Sequence, residues 1–162
     1  MGKNIKTAVY PGTFDPFTNG HVSLVMRALD IFDEIIVGVA LHTPKVPLFN
    51  LEERVWLTRK SFNGDPRIRV EPFEGLLVDY VRKQNAGAIL RGMRAVADFE
   101  YEFQMALMNR RLDRNIQTVF LMTDYKWLYI SSTIIKDVAR LGGDIKGLVP
   151  AVVEKELYKK FR

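Results

Sequence analysis

Short apolar, β-rich runs alternate with stretches of helical periodicity along this 162-residue chain, and that alternation restricts its fold more than any other feature. Strands are predicted over Lys6–Tyr10, Glu34–Leu41, Ile68–Pro72, Ala88–Leu90 and Thr118–Met122. Helices are predicted between them, over Val22–Phe32, Asn50–Phe62, Leu76–Gln84 (ending near Gly87) and Phe99–Leu112. EIIVGVAL, at Glu34–Leu41, is almost continuously apolar, as a parallel strand buried on both faces should be. Asn50 and Glu53 stand at the spacing of a capping box. Beyond the fifth run the pattern turns helical: Ser131–Leu141, capped by serine and stopped by Gly142 and Gly143, then a last helix to about Phe161 with Pro150 at N1. The expectation is an α/β, doubly wound (Rossmann-like) parallel sheet of about five strands, with helices on both faces and a C-terminal helical extension. At this length it forms a single domain, 1–162.

Ligands of such folds bind beyond the carboxyl ends of the strands, and the residues suited to chemistry all follow strand ends. Pro11–His21 reads PGTFDPFTNGH. Its glycines allow backbone amides close approach, and His21 stands at the expected helix start, where partial positive charge suits phosphate. Thr13 lies in the same loop; Asp15 there either makes a turn or holds Mg²⁺ or the loop. Lys45 follows the second strand in the proline-bracketed HTPKVPLF, a cation able to reach a substrate phosphate, with His42 read as an exposed loop residue. Arg91 and Arg94, in RGMR after the fourth strand, either fork onto phosphate or pair with Asp98, Glu100 or Glu102. Glu102 either accepts from a sugar or base amine or pairs with an arginine. Ile130–Thr133, ISST, offers hydroxyls and free amides at another helix start, beyond what one N-cap requires.

Other classes are excluded by absences. No cysteines and two histidines, with no HExxH, disfavour a protein-built zinc site and exclude disulfides. GxSxG, GxxxxGK[ST] and GxGxxG are all missing. The net charge of +5 comes from dispersed Lys and Arg plus a modest cluster at Lys155, Lys159, Lys160 and Arg162. That suits small anionic substrates rather than nucleic acid. No run is long enough to span a bilayer, and MGKNIKTAVY lacks the apolar core of a signal peptide. A cytoplasmic protein with no membrane partner is expected.

Assembled, these residues resemble the bacterial phosphopantetheine adenylyltransferase family over essentially the full length, from YPGTFDPFTNGH through LEER, RGMRAVADFEYE and MNR to ISST. TFDPFTNGH and ISST are similar to the paired signatures of the wider nucleotidyltransferase superfamily; RGMRAVADFEYE decides among its members. The resemblance implies transfer of the adenylyl group of ATP to 4′-phosphopantetheine, giving dephospho-coenzyme A and pyrophosphate, with Mg²⁺ as cofactor. It implies that Thr13, Phe14 and His21 meet the ATP phosphates. Lys45, Leu77 and Arg91, with Thr13, would hold phosphopantetheine. Gly92, Met93, Arg94, Glu102, Trp127, Leu128, Tyr129, Ile130, Ser131, Ser132 and Thr133 would complete the nucleotide site. His21, Lys45 and Arg91 would be the catalytic set, with no metal ligand assigned among the side chains. A homohexamer, inhibited in some members by coenzyme A, is also implied. Two small departures are the His42-Thr43-Pro44 approach to Lys45, where Asn or Ser is common before the lysine, and Met93 for Leu or Ile in RGxR. The alternatives are a nucleotidyltransferase for another phosphorylated acceptor and a non-catalytic nucleotide- or RNA-binding module.

Overall fold

The structure is a computed structural model describing residues 6–162; the first five residues of MGKNIKTAVY lie outside it. Five strands, β1 (Thr7–Gly12), β2 (Glu34–Ala40), β3 (Ile68–Phe73), β4 (Ala88–Met93) and β5 (Gln117–Met122), form one parallel sheet in the order β3-β2-β1-β4-β5. The helices are α1 (Asn19–Ala28), α2 (Leu51–Lys60), α3 (Leu77–Lys83), α4 (Val96–Leu112), α5 (Ser132–Arg140) and α6 (Ala151–Phe161), with a single 3-10 turn at Tyr125–Trp127. The doubly wound parallel sheet expected from the alternation is therefore what forms.

Strand alternation divides the core into two layers. Ala8, Tyr10, Ile35, Val37 and Leu90 face Leu24, Val25 and Ala28 of α1 and Val55 of α2. Val9, Ile36 and Ile89, one residue out of phase, face Val78 and Val81 of α3. A third cluster joins Phe49 and Leu57 of the α2 region to Ile135 and Ala139 of α5 and Val153 and Leu157 of α6. The C-terminal extension is thus fastened to the first half of the chain. No helix among the described residues is long and apolar enough to cross a membrane.

Several boundaries differ from expectation for local reasons. The first helix starts at Asn19, not Val22, because Thr18 caps it and His21 closes the capping box from N3. His21 therefore lies within the first turn rather than at its start. That helix stops at Ala28, the chain turning at Asp30–Phe32 through bonds to Arg27 and Ala28 carbonyls. β4 runs on through Arg91, Gly92 and Met93, since these still pair with Phe120, Leu121 and Met122 of β5; Arg91 is a strand residue, not a loop residue. The third helix ends at Lys83, and Asn85 takes the left-handed turn (φ 54°) before Gly87. α4 begins at Val96 rather than Phe99, and Pro150 is the N-cap of α6 rather than its N1 residue. The Asn50–Glu53 capping box forms as expected, each side chain accepting from the other residue's amide at 2.9 and 2.8 Å.

Leu157→Ala tests whether the C-terminal cluster is integral to the fold. Leu157 is fully buried, so urea unfolding should show a loss of about 2–5 kcal/mol with an unchanged slope. A loss below about 0.5 kcal/mol, the surface range, would mean α6 is a loosely held appendage.

Candidate active site

The strand order reverses between β1 and β4, and there the sheet opens. β1 pairs with β4 only at Ala8–Ala88 and Val9–Ile89, although both strands continue to Gly12 and Met93 along their outer neighbours β2 and β5. Pro11 has no amide hydrogen to offer across the gap. Its carbonyl instead accepts from Arg91 Nη1 at 3.1 Å. The parted strand ends floor a cavity of about 370 Å³.

That cavity gathers Gly12, Thr13, Phe14, His21, Arg91, Gly92, Arg94, Glu102, Trp127 and Ile130–Thr133. Leu77 lies in a smaller adjoining pocket, of about 130 Å³, which shares Arg91 and Glu102 with the first. Lys45 is exposed on the loop between β2 and α2, and neither it nor Met93, Leu128 or Tyr129 lines either pocket.

Each cavity group has a definite state. The Thr18 amide donates to His21 Nδ1 at 2.9 Å, so the ring carries its proton on Nε2. Tyr10, Phe14 and Phe17 surround the ring with centroids 6.3, 5.2 and 5.0 Å away. This desolvation, and next the nearby Arg94 charge, hold His21 down at about 3. His21 is a neutral N–H donor at physiological pH. Phe14 adopts a left-handed conformation (φ 51°), unusual for an aromatic residue, which turns its ring onto His21.

Arg91 donates from Nε and Nη2 to Glu102 at 2.8 and 2.6 Å. Burial pulls its guanidinium down, but the paired carboxylate more than offsets this and leaves it above its ordinary value. The arginine pair read for Glu102 is present, with Arg91 as the partner. Arg94 reaches across the cavity to the Ile130 carbonyl at 3.0 Å and approaches Asp98 at 3.7 Å. Two helix starts face the same space. Ser131 caps α5 by accepting from the Ile134 amide, and Ser132 donates to the Pro16 carbonyl, so two of the three ISST hydroxyls are engaged in structure. The amides of Ser132 and Thr133, like that of Gly20 in α1, have no acceptor among the described residues. They are the free N–H groups that make a helix start an anion site.

Asp15 stands in a turn with Pro16, and its carboxylate is tied to a neighbouring loop. It is buried, accepting from the Leu48 and Phe49 amides at 2.9 Å each and from Lys136 Nζ at 2.7 Å. With those partners it is unavailable to a metal, and among the described residues no group of three or more His, Cys, Asp or Glu is placed to hold one.

Sequence reasoning missed Tyr10, Thr18, Leu24, Asp98 and Thr123, which also line the cavity. Tyr10 was hidden in an apolar run; its phenol, raised above the ordinary value chiefly by burial, is a neutral O–H.

Residues 9–138 match the cytidylyltransferase-like family model. The chain is 65% identical over 156 residues, 96% of its length, to the phosphopantetheine adenylyltransferase of Oleidesulfovibrio alaskensis, covering 92% of that protein. The chain belongs to the phosphopantetheine adenylyltransferase family. Another member, from Syntrophus aciditrophicus, is 56% identical over 96% of this chain and 94% of its own. The fold is shared more widely. A bifunctional NMN adenylyltransferase/ADP ribose pyrophosphatase from Francisella tularensis superposes with a TM-score of 0.72 at 16% identity, over 96% of this chain and 49% of that one.

The neutral tautomer of the half-buried His21 has a direct readout. Its ring resonance, identified by its loss in His21→Asn, should hold its chemical shift from about pH 8 to pH 5, with no midpoint near the ordinary 6.5. A midpoint near 6.5 would refute the desolvated donor. On acidification the unfolded ring takes up a proton first, so the stability contributed by neutral His21 is whole above 6.5 and is lost as pH falls towards about 3.

Proposed function

We propose that this chain, acting as one nucleotidyltransferase unit in the cytoplasm, transfers the adenylyl group of ATP to 4′-phosphopantetheine, releasing pyrophosphate and dephospho-coenzyme A for coenzyme A synthesis. The observation that carries the reading is convergence: both nucleotidyltransferase signatures, 110 residues apart from His21 to Ser131, line one cavity at the topological switch point. Near-full-length identity to named phosphopantetheine adenylyltransferases supports the acceptor.

In the reaction a phosphate oxygen of phosphopantetheine attacks the α-phosphorus of ATP. The new P–O bond forms as the bond to the bridging oxygen breaks, and the electron pair leaves with pyrophosphate. A phosphate monoester is already anionic, so no side chain need remove a proton. Catalysis is then alignment of two polyanions and stabilisation of charge on the α-phosphoryl oxygens and leaving group. His21 Nε2–H, Thr13, Phe14 and the amides of α1 serve the ATP phosphates. Gly92–Arg94, Glu102 and Trp127–Thr133 serve the nucleotide. Arg91, presented by Glu102 and the Pro11 carbonyl, takes the acceptor phosphate with Thr13, and the adjoining pocket with Leu77 takes the pantetheine arm. Lys45 completes the set as a bridging cation from its exposed loop. Mg²⁺ enters this reading as the counter-ion of ATP, held by no side chain, and no step depends on its position. Coenzyme A shares the adenylyl-pantetheine body of the product and would compete for the same cavity.

A homohexamer fits the helix that is left uncovered among the described residues. α4 buries only Asn109 and exposes Phe99, Phe103, Leu107 and Met108 to solvent, an arrangement that calls for a covering partner. Sedimentation should give six times the chain mass, and Leu107→Glu should lower it; a monomer at micromolar concentration would refute the assembly.

Pyrophosphate release from ATP and 4′-phosphopantetheine is the decisive assay, and release with another phosphorylated acceptor alone would overturn the reading. His21→Ala should lower kcat on the order of 10²-fold, as loss of an aimed oxyanion donor does; near-normal kcat would remove His21 from the mechanism. Arg91→Ala should weaken calorimetric binding of phosphopantetheine more than of ATP, and selective loss of ATP would reverse its assignment.

A further inference from the structure

The loop carrying Lys45 joins β2 to α2, and charged side chains buried away from the cavity grip both of its ends. Arg54, in the first turn of α2, is 1% exposed and has no carboxylate partner among the described ion pairs. Its Nε donates to the Phe49 carbonyl at 3.1 Å, and its Nη1 donates to the carbonyls of Ala40 at 2.9 Å and Thr13 at 2.8 Å. Asp15, 4% exposed, holds the Leu48 and Phe49 amides and is itself held by Lys136 of α5. Ala40 and Phe49 are the two feet of the loop. Between them, the Leu41 amide reaches the Phe73 carbonyl, and Thr43 donates to the Lys45 carbonyl at 2.6 Å. Lys45 itself is exposed.

Burial disfavours the Arg54 charge, the Asp15 carboxylate offsets this only in part, and no direct ion pair forms, so the value of the guanidinium here lies in geometry. A planar fork can hold three carbonyls from three chain segments at once; a lysine ammonium offers one point. The three carbonyls belong to the end of β2, the loop's far foot and the phosphate loop, and Asp15 adds the middle of α5 through Lys136. The separation of the loop's feet, and their placement relative to Thr13 and the ISST helix, are therefore held by two side chains that do not line the active-site cavity.

We propose that Arg54 and Asp15 are positioning residues for Lys45: by clamping both feet of its loop onto the phosphate loop and α5, they fix the reach of its ammonium to the transferring phosphate. This rests on the reading that Lys45 serves the transfer step. Arg54 acts on Lys45 through backbone, so its effect is one of rate rather than of nucleotide affinity.

The test is a mutant cycle in the pyrophosphate assay on the full-length chain, using Arg54→Lys, Lys45→Ala and the double variant, with Asp15→Asn in a parallel cycle. Thermal unfolding selects whichever positioning variant keeps the wild-type transition. Arg54→Lys should lower kcat about tenfold or more, with KM for ATP changed less than about twofold. In the Lys45→Ala background the same change should alter kcat by less than about twofold, because the group it positions is gone. A full, additive loss in that background, pointing to an effect through Thr13 or the general fold, overturns the proposal, as does normal kcat in both positioning variants. Unchanged kcat in Lys45→Ala alone would instead refute the role of Lys45, and the proposal with it, so the two failures are told apart.

Discussion

Everything chemical in this molecule depends on one interruption of the sheet. Parallel strands normally hydrogen-bond along their whole shared length, yet β1 and β4 part after two residue pairs while each stays bonded to its outer neighbour. Pro11 cannot donate across the gap, and the Arg91 guanidinium fills the place of the missing ladder bond by donating to the Pro11 carbonyl. Arg91 is pinned there by Glu102 of α4. The opening is therefore stabilised by an arginine that also faces into it, and the cation most suited to phosphate is already oriented before any ligand arrives.

The parted strands direct their successor helices towards the same space. α1 begins directly after the β1 loop and α5 begins after the β5 crossover, so two helix starts with unsatisfied amides meet above the gap. Their proximity makes the cavity favourable to anions without crowding it with free cations. His21 fits this arrangement as a neutral donor. A charged imidazole in the same aromatic enclosure would be opposed by desolvation and by Arg94. The aromatic contacts of Tyr10, Phe14 and Phe17 thus decide its protonation as well as its orientation.

Local physics was legible in the sequence. The alternating runs gave the sheet, the Asn50–Glu53 spacing gave a cap that forms, and turn residues marked most ends. Signature residues far apart in the chain were gathered in advance because they all follow strand ends. What escaped were side chains that act on distant backbone. Arg54 bonds the carbonyls of Thr13, Ala40 and Phe49, and Asp15 bonds the amides of Leu48 and Phe49. Such ties leave no periodicity or spacing, since any carbonyl or amide is an equivalent partner. The continuation of β4 through Arg91 was hidden for a related reason: Arg-Gly-Met is a weak strand sequence, kept extended by pairing with β5. Tyr10 was concealed by its apolar context, and its position at the parting of the strands is a property of topology.

A reaction between two phosphate compounds asks little of a protein in the way of bond-making, and this site is built accordingly. Its cavity-facing groups are donors in fixed states: a tautomer locked by Thr18, an arginine locked by Glu102 and Pro11, amides locked by helix geometry. Precision in such a site cannot come from the donors themselves, because each has freedom that its neighbours must remove. It comes from the buried layer beneath. There Arg54, Asp15 and Lys136 are bonded to backbone and to one another's segments, where solvent cannot compete for the bonds. Lys45 lies outside the cavity lining, a cation on an exposed loop, and the two feet of that loop are where the buried ties converge. The fold thus places buried polar bonds under both ends of an exposed loop.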